Sequence, residues 1–278
     1  MKDWHYQLKA QDTLKWGEFS HFSATGLVSH GFSTRWGGIS TAPYQTLNLG
    51  LHTGDNIEAV CENRRRFCGV FNLDLNRTVM AEQVHGEAIA VVTEEECGYG
   101  ALVYETAISQ TDALITNIPG VPIMLFYADC VPVYFLDPEN RVIGVAHAGW
   151  KGTVAHIGAK TVAMMGRIFG TKPDKCLAAI GPSIGPCCYE VDQFVYDQVI
   201  AAFPDGRQLL RPIRTGKWQF DLWAANQLQL EEIGILTQNI KIAKVCTSCN
   251  ADMYYSYRAE HGKTGRMGAL LALKKSEE

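Results

Sequence analysis

The stretch Val121-Pro122-Ile123-Met124-Leu125-Phe126-Tyr127-Ala128-Asp129-Cys130-Val131-Pro132-Val133-Tyr134-Phe135-Leu136 decides the fold class. It holds two apolar, aromatic and β-branched runs, Val121–Tyr127 and Val131–Leu136, separated by one polar break at Asp129-Cys130. Runs of this length bounded by Pro, Gly, Asp or Asn read as strands. The same pattern recurs on either side, in Ala113–Thr116 and Val142–Ala146. Apolar content that is continuous rather than alternating predicts strands covered on both faces.

Beyond Ala146 the period changes. In Gly152–Phe169, Val154, Ile157, Thr161, Met164 or Met165, and Ile168 fall on one helical face, with Gly170 just past the end. A strand at Leu177–Ile180 and a helix at Gln193–Ala202 follow. Asp221 caps a further helix, Leu222–Ile233, that stops at Gly234, and strands at Lys241–Val245 and Gly268–Ala272 close the pattern. In the N-terminal third, β-like runs at Leu27–Ser33 and Leu47–Leu51 flank the turn Arg35-Trp36-Gly37-Gly38. A helix spans Ile57–Cys68 with Asp55 or Asn56 as N-cap, and strands at Val79–Val84 and Ala88–Val92 flank His85-Gly86. The expectation is an α/β (mixed α+β) fold, a single domain over residues 1–278. Its core is a largely buried mixed β-sheet and its helices are peripheral.

Composition narrows the function. With 278 residues, 47% apolar and 19% charged, the chain has the make-up of a globular protein with a large core. A net charge of −4 offers no footprint for nucleic acid or an anionic membrane. The only basic run, Arg64-Arg65-Arg66, reads as the solvated face of a helix. Met1-Lys2-Asp3-Trp4-His5 lacks the pattern of a signal peptide, and no apolar stretch reaches the length of a membrane span. Nine cysteines, two of them vicinal at Cys187-Cys188, read as free thiols in the cytoplasm.

Three segments carry the chemistry: Ala81-Glu82-Gln83-Val84-His85-Gly86, Phe126-Tyr127-Ala128-Asp129-Cys130 and Val145-Ala146-His147-Ala148-Gly149-Trp150. Taken singly, a Cys or His at a strand end is most often an ordinary core residue. Here Cys130 and His147 end successive apolar runs, which adjacent strands would set side by side. One thiolate and two imidazoles suit zinc or copper, and three ligands leave a position open, as catalytic sites do. Asp112 and Asp129, each at a strand mouth, are candidates to orient a histidine or act as acid or base. Arg35, beside the Gly37-Gly38 turn, is a candidate anion holder. Cys246-Thr247-Ser248-Cys249 has the spacing of a redox pair or of half a zinc site, with no second CxxC to pair with it. Gly181-Pro182-Ser183-Ile184-Gly185-Pro186-Cys187-Cys188 fits no phosphate-loop pattern, and no Gly-x-Ser-x-Gly is present. Tyr254-Tyr255-Ser256-Tyr257-Arg258 and Gly265-Arg266-Met267-Gly268 put aromatics and arginines near the last strand, where they suit stacking a flat base or ordinary packing.

Read together and in order, these segments are joined by His30-Gly31-Phe32-Ser33-Thr34-Arg35, Asn48-Leu49-Gly50, Thr111-Asp112-Ala113, His147-Ala148-Gly149-Trp150-Lys151-Gly152-Thr153 and Ile180-Gly181-Pro182-Ser183-Ile184-Gly185. The chain resembles the laccase-domain (YfiH-type) family, once called multicopper polyphenol oxidases and now regarded as purine nucleoside phosphorylases. The resemblance runs from about residue 27 to 272, and Lys151 stands where the family often has Arg. It implies a zinc held by His85, Cys130 and His147. It also implies phosphorolysis of adenosine, inosine, guanosine and S-methyl-5'-thioadenosine, with deamination of adenosine. Purine nucleosides and phosphate are then the partners, with Arg35 on the phosphate, Asp112 or Asp129 in acid/base or orienting duty, and Tyr254–Tyr257 near the base.

Three other readings compete. One soft site could take copper for phenol oxidation, though no second histidine cluster resembles the multicopper centre of a laccase. Cys130 could be a thiolate nucleophile with His147 as base, a cysteine hydrolase. A metal-dependent interaction module is the non-enzymatic reading. Oligomeric state is left open.

Overall fold

Residues 5–275 are described by the structure, a computed structural model of the chain; the first four residues, read above for a leader, lie outside them. The chain begins with strands β1 (Tyr6–Gln11) and β2 (Leu14–Phe19), one helical turn α1 (Ser20–Ser23) and β3 (Val28–Ser33). Helix α2 (Ile57–Gly69) follows, then β4 (Val79–Met80), β5 (Ile89–Val91) and β6 (Ala113–Thr116). The central strands are β7 (Ile123–Tyr127), β8 (Val131–Asp137) and β9 (Val142–Ala148), succeeded by helices α3 (Trp150–Val154) and α4 (Ile157–Phe169). The remainder is β10 (Leu177–Ile180), β11 (Glu190–Asp192), α5 (Gln193–Ala202), β12 (Leu210–Arg214), β13 (Lys217–Phe220), α6 (Leu222–Glu232), β14 (Ile240–Ile242) and β15 (Met267–Leu273). No described helix is long and apolar enough to cross a membrane.

The strands form two six-stranded mixed sheets, ordered β1-β2-β3-β15-β7-β4 and β14-β10-β8-β9-β6-β5, and a small three-stranded sheet, β11-β13-β12. Side-chain alternation explains how they stack. On β7, Ile123, Leu125 and Tyr127 point into the layer between the large sheets, while Met124 and Phe126 point outward beneath α2. On β8, Tyr134 and Leu136 face that same inter-sheet layer, while Val131, Val133 and Phe135 face helices α4 and α6. The result is a helix–sheet–sheet–helix stack. Both faces of the central strands are buried, which is why their sequence is apolar without alternation. Two buried phenols cross the layer. Tyr134 on β8 donates to the Gly31 carbonyl on β3, and Tyr127 on β7 donates to the Ala146 carbonyl on β9, both at 3.0 Å. Each such bond contributes about 0.5–1.5 kcal/mol net, and more is lost if one partner is stranded.

The mixed α+β class and most of the central elements match the sequence reading, and four details are corrected. Leu47–Leu51 is not a strand. Leu47 and Leu49 are buried, but their N–H groups go to Arg35 and Arg266 carbonyls in loops. The strand expected at Val79–Val84 stops at Met80 because the Gln83 side chain replaces the ladder: its amide gives to the Phe126 carbonyl at 2.8 Å and accepts from the Phe126 N–H at 2.7 Å. The helix expected over Gly152–Phe169 is two, broken where His156 adopts φ 58° and is tied by its ring to the Ala202 carbonyl. The basic run is not one solvated face. Arg65 and Arg66 pair with Glu62 in solvent, whereas Arg64 is buried, gives hydrogen bonds to the carbonyls of Leu49, Gly100 and Ala101, and stacks on Phe126. The helical step of about 100° puts Arg64 on the inward face with Val60 and Phe67.

Candidate metal centre and substrate pocket

The register of the central hairpin delivers two of the three expected ligands. β8 and β9 are antiparallel with Pro132 opposite His147, so Cys130, just ahead of β8, lies beside the end of β9. His147 shares its face with Ile143 and Val145 and therefore emerges into the inter-sheet layer, its ring 5.4 Å from that of Tyr127. The third ligand comes from a loop. His85 sits at φ 61°, and this turn aims three successive N–H groups at one carboxylate. Asp112 accepts from Val84 at 3.1 Å, His85 at 3.0 Å and Gly86 at 2.7 Å. The same carboxylate bonds His147 Nδ1 at 2.8 Å. Asp112 is thus fully buried and fixes both histidines at once. Burial pushes its carboxyl up, but His147 and the backbone donors outweigh this and hold it below the usual value.

The donor atoms of His85, Cys130 and His147 all lie within 4.8 Å of one another. One ion bonding at about 2.0–2.3 Å reaches donors spaced in this way. Gly149 makes the room: a Cβ there would stand 3.0 Å from Cys130 Sγ and 3.1 Å from the His85 ring. With its Nδ1 held by Asp112, His147 has Nε2 left to face the site, the arrangement in which a carboxylate orients a metal-binding histidine. Burial raises the Cys130 thiol, yet the His147 charge and hydrogen bonds from both histidines bring it down to about 6. Against its own burial, His147 is raised to about 9 by that thiolate and by Asp112. Both shifts favour the thiolate, the form a metal requires, and metal binding would displace the imidazole proton. The residues therefore fit a three-donor metal site.

The site forms the floor of a cavity of about 480 Å³, within the usual range for small-molecule sites. Its walls carry His52, Phe126, Tyr189, Tyr257 and two guanidinium groups, Arg258 and Arg266. Arg258 gives hydrogen bonds to the Cys188 and Glu190 carbonyls and stacks on Tyr189, while Arg266 lies over Tyr257. Among the described residues neither is paired with a carboxylate. His52 is pulled down to about 4 by burial and by Arg266 and Arg64, so it is neutral near pH 7. The positive charge of the walls belongs to the two arginines.

Asp129 lines the same cavity, but its oxygens are taken: Thr247 Oγ1 at 2.6 Å, Ser256 Oγ at 3.0 Å and the Arg258 N–H at 2.7 Å. Burial raises its carboxyl against these donors. The structure does not bring Arg35 into the cavity. Its guanidinium gives to the carbonyls of Gln45 and Ala251, pairs with Glu260 at 3.0 Å and stacks on Tyr255. Of the tyrosines near the last strand, Tyr257 reaches the cavity, whereas Tyr254 and Tyr255 are buried in the core. Sequence reasoning missed His52 and Tyr189, and gave Arg258 and Arg266 no role beyond stacking a flat base or ordinary packing. A histidine or arginine in a loop carries no periodic signal to reveal such a position.

The family model for multi-copper polyphenol oxidoreductase laccase matches residues 29–274. A protein of Bacillus subtilis (strain 168) named purine nucleoside phosphorylase YlmD is 39% identical over 249 residues, 90% of each chain. Escherichia coli (strain K12) purine nucleoside phosphorylase YfiH is 34% identical over 242 residues, 87% of this chain and 92% of the relative. The crystal structure of YlmD from Geobacillus stearothermophilus superposes with a TM-score of 0.93 at 37% identity, covering 98% of this chain and 99% of that one. Agreement in sequence and in fold over nearly the whole length places this chain in the laccase-like YfiH and YlmD family, whose curated relatives carry the name purine nucleoside phosphorylase.

Proposed function

We propose that the chain is a zinc-dependent purine nucleoside phosphorylase of broad specificity that also deaminates adenosine. It would take adenosine, inosine, guanosine and S-methyl-5'-thioadenosine, in a cytoplasm that keeps its thiols reduced. The observation that carries this reading is the pairing, in one cavity, of an open three-donor site with two guanidinium groups that pair with no carboxylate among the described residues. An oxyanion is the partner such arginines bind best. Tyr257, Tyr189 and Phe126 offer flat surfaces for a purine.

His85, Cys130 and His147 would hold the ion, and Asp112 would fix their orientation. When bound, zinc supplies the positive charge that polarises an oxygen nucleophile near neutral pH. Arg258 and Arg266 would hold phosphate as its oxygen bonds to the anomeric carbon. The bond to the purine nitrogen breaks, the electron pair leaves with the base, and the base takes up, through solvent, the proton that hydrogen phosphate gives up on forming the ester. In deamination, water adds at C6 of adenine and ammonia departs. Asp129, saturated with donors, orients Arg258 through its backbone and carries no proton in this scheme. Arg35 keeps its loop in place.

The test is adenosine turnover with and without phosphate. Adenine and ribose 1-phosphate should form only with phosphate, and inosine should form in either condition. Oxygen consumption with phenols and no nucleoside turnover would overturn the reading. Copper oxidation finds less support, since among the described residues the converging donor groups are this one and a set of four thiols. The Cys130–His147–Asp112 alignment also fits a cysteine hydrolase. Activity that survives complete metal removal and is lost on alkylation of Cys130 would favour that alternative.

A further inference from the structure

A second group of donors lies outside the pocket. Cys187 and Cys188, on the loop before β11, meet Cys246 and Cys249, on the turn after β14, and their four sulfurs lie within 4.8 Å of one another. Cys249 Sγ is 3.4 Å from Cys187 Sγ and 3.3 Å from Cys188 Sγ. These separations far exceed the roughly 2.05 Å of a disulfide. They fall a few tenths short of the roughly 3.8 Å between sulfurs in a tetrahedral site with zinc–sulfur bonds of about 2.3 Å. A vicinal pair thus supplies what the lone CxxC lacked in the sequence.

The two segments are held together independently of the sulfurs. Ser183 and Cys246 form a parallel bridge, with Ser183 N–H on the Val245 carbonyl and Thr247 N–H on the Ser183 carbonyl. Gly185 donates its N–H to Cys246 Sγ at 3.2 Å, the kind of bond that stabilises a thiolate. A Cβ at Gly185 would stand 2.7 Å from the Trp223 ring and 3.2 Å from the Cys246 Cβ, so this packing favours glycine. We propose that Cys187, Cys188, Cys246 and Cys249 form a closed tetrathiolate site for one structural zinc ion, separate from the open site. On binding, each thiol releases its proton to solvent and no electron is transferred. Four protein ligands leave no place for substrate. The ion would clamp two pocket walls, since Arg258 bonds the Cys188 carbonyl and Thr247 bonds Asp129, the neighbour of Cys130.

The test is metal analysis by native mass spectrometry of the full chain, prepared with zinc and a thiol reductant, beside Cys130→Ser, Cys249→Ser and Cys187→Ser. Cys130→Ser should retain one zinc, and Cys249→Ser and Cys187→Ser should each lose one relative to the parent. With cobalt in place of zinc, Cys130→Ser should keep intense thiolate-to-cobalt absorption that the other two lose. Cys187 and Cys249 are both exposed and lie on different segments, so either variant keeps the test open if the other fails to fold. A Cys130→Ser protein free of metal would overturn the proposal. So would unchanged zinc in both Cys187→Ser and Cys249→Ser, or a mass lowered by the hydrogens of a disulfide under these reducing conditions. Failure of the nucleoside assay would leave these readouts untouched.

Discussion

Asp112→Asn should loosen the open site while barely changing its volume. Oδ2 of the carboxylate accepts from Val84 and Gly86, and Oδ1 accepts from His85 and bonds His147 Nδ1. An amide keeps one of these oxygens and turns an NH₂ toward the donors on the other side. Two donors then lose their acceptor, and the remaining bonds lose their charge. Charge-assisted bonds are worth about 1.5–3 kcal/mol each, so the variant should lose about 3–5 kcal/mol of stability near neutral pH after partial relaxation. The weakened support of His147 should reduce zinc affinity by about 10–100-fold. Chelator competition reads the second effect and urea unfolding the first. Because the folded Asp112 carboxyl is held low, its contribution is present above the unfolded value of about 3.9 and is lost as pH falls through the folded one. The stability gap between parent and variant should therefore narrow in acid. Zinc affinity within about twofold of the parent, with an unchanged unfolding midpoint, would refute the role given to Asp112.

Gly149→Ala should abolish or sharply weaken metal binding with little loss of fold, because the new methyl occupies the space between Cys130 and His85; metal content after dialysis reads this. His30 is buried, accepts the Phe19 N–H at 2.8 Å, and is pulled down to about 3 mainly by burial. Its unfolded form takes up a proton near pH 6.5, so stability should fall as pH drops from about 6.5 toward 3, by up to about 1.4 kcal/mol per pH unit. His30→Gln should flatten that slope in urea titrations run across the range. Arg258→Ala should raise the phosphate KM about tenfold or more while sparing deamination. Arg35→Ala should leave the phosphate KM unchanged and lower the unfolding midpoint, since it strands two carbonyls and Glu260; steady-state kinetics separates the two arginines.

The buried centre of the fold was legible because two-sided burial writes itself as uninterrupted apolar runs. Val131–Leu136 and Val142–Ala146 differ from the observed strands by one or two residues at a single end. β1 and β12 gave no such signal, because each buries only its first residue. Sheet order was also hidden, since hydrogen-bonded neighbours such as β3 and β15 lie far apart in the chain. At the site, His85, Cys130 and His147 were readable from their position at strand ends. Arg64 was misread because adjacency in sequence was taken for a shared face, which a helix does not provide. The tetrathiol group was half seen, for only folding brings Cys187 and Cys188 to the CxxC turn.

The place of β15 has a consequence for how the protein is made. It is the last described strand in sequence, yet it pairs with β3 on one side and β7 on the other, in the middle of the first sheet. A ribosome releases β1, β2 and β3 early, and they must wait for most of the chain to emerge before their partner exists. Pairings that distant close slowly. Until then β3 and β7 both present open edges that invite pairing with another nascent chain. A nonsense mutation or a proteolytic cut ahead of Met267 removes one strand from the sequence but unzips the sheet at its centre. It also releases β7 and the loop to Cys130 from their anchor, so the truncated product should be captured by chaperones or aggregate rather than persist as a shortened enzyme.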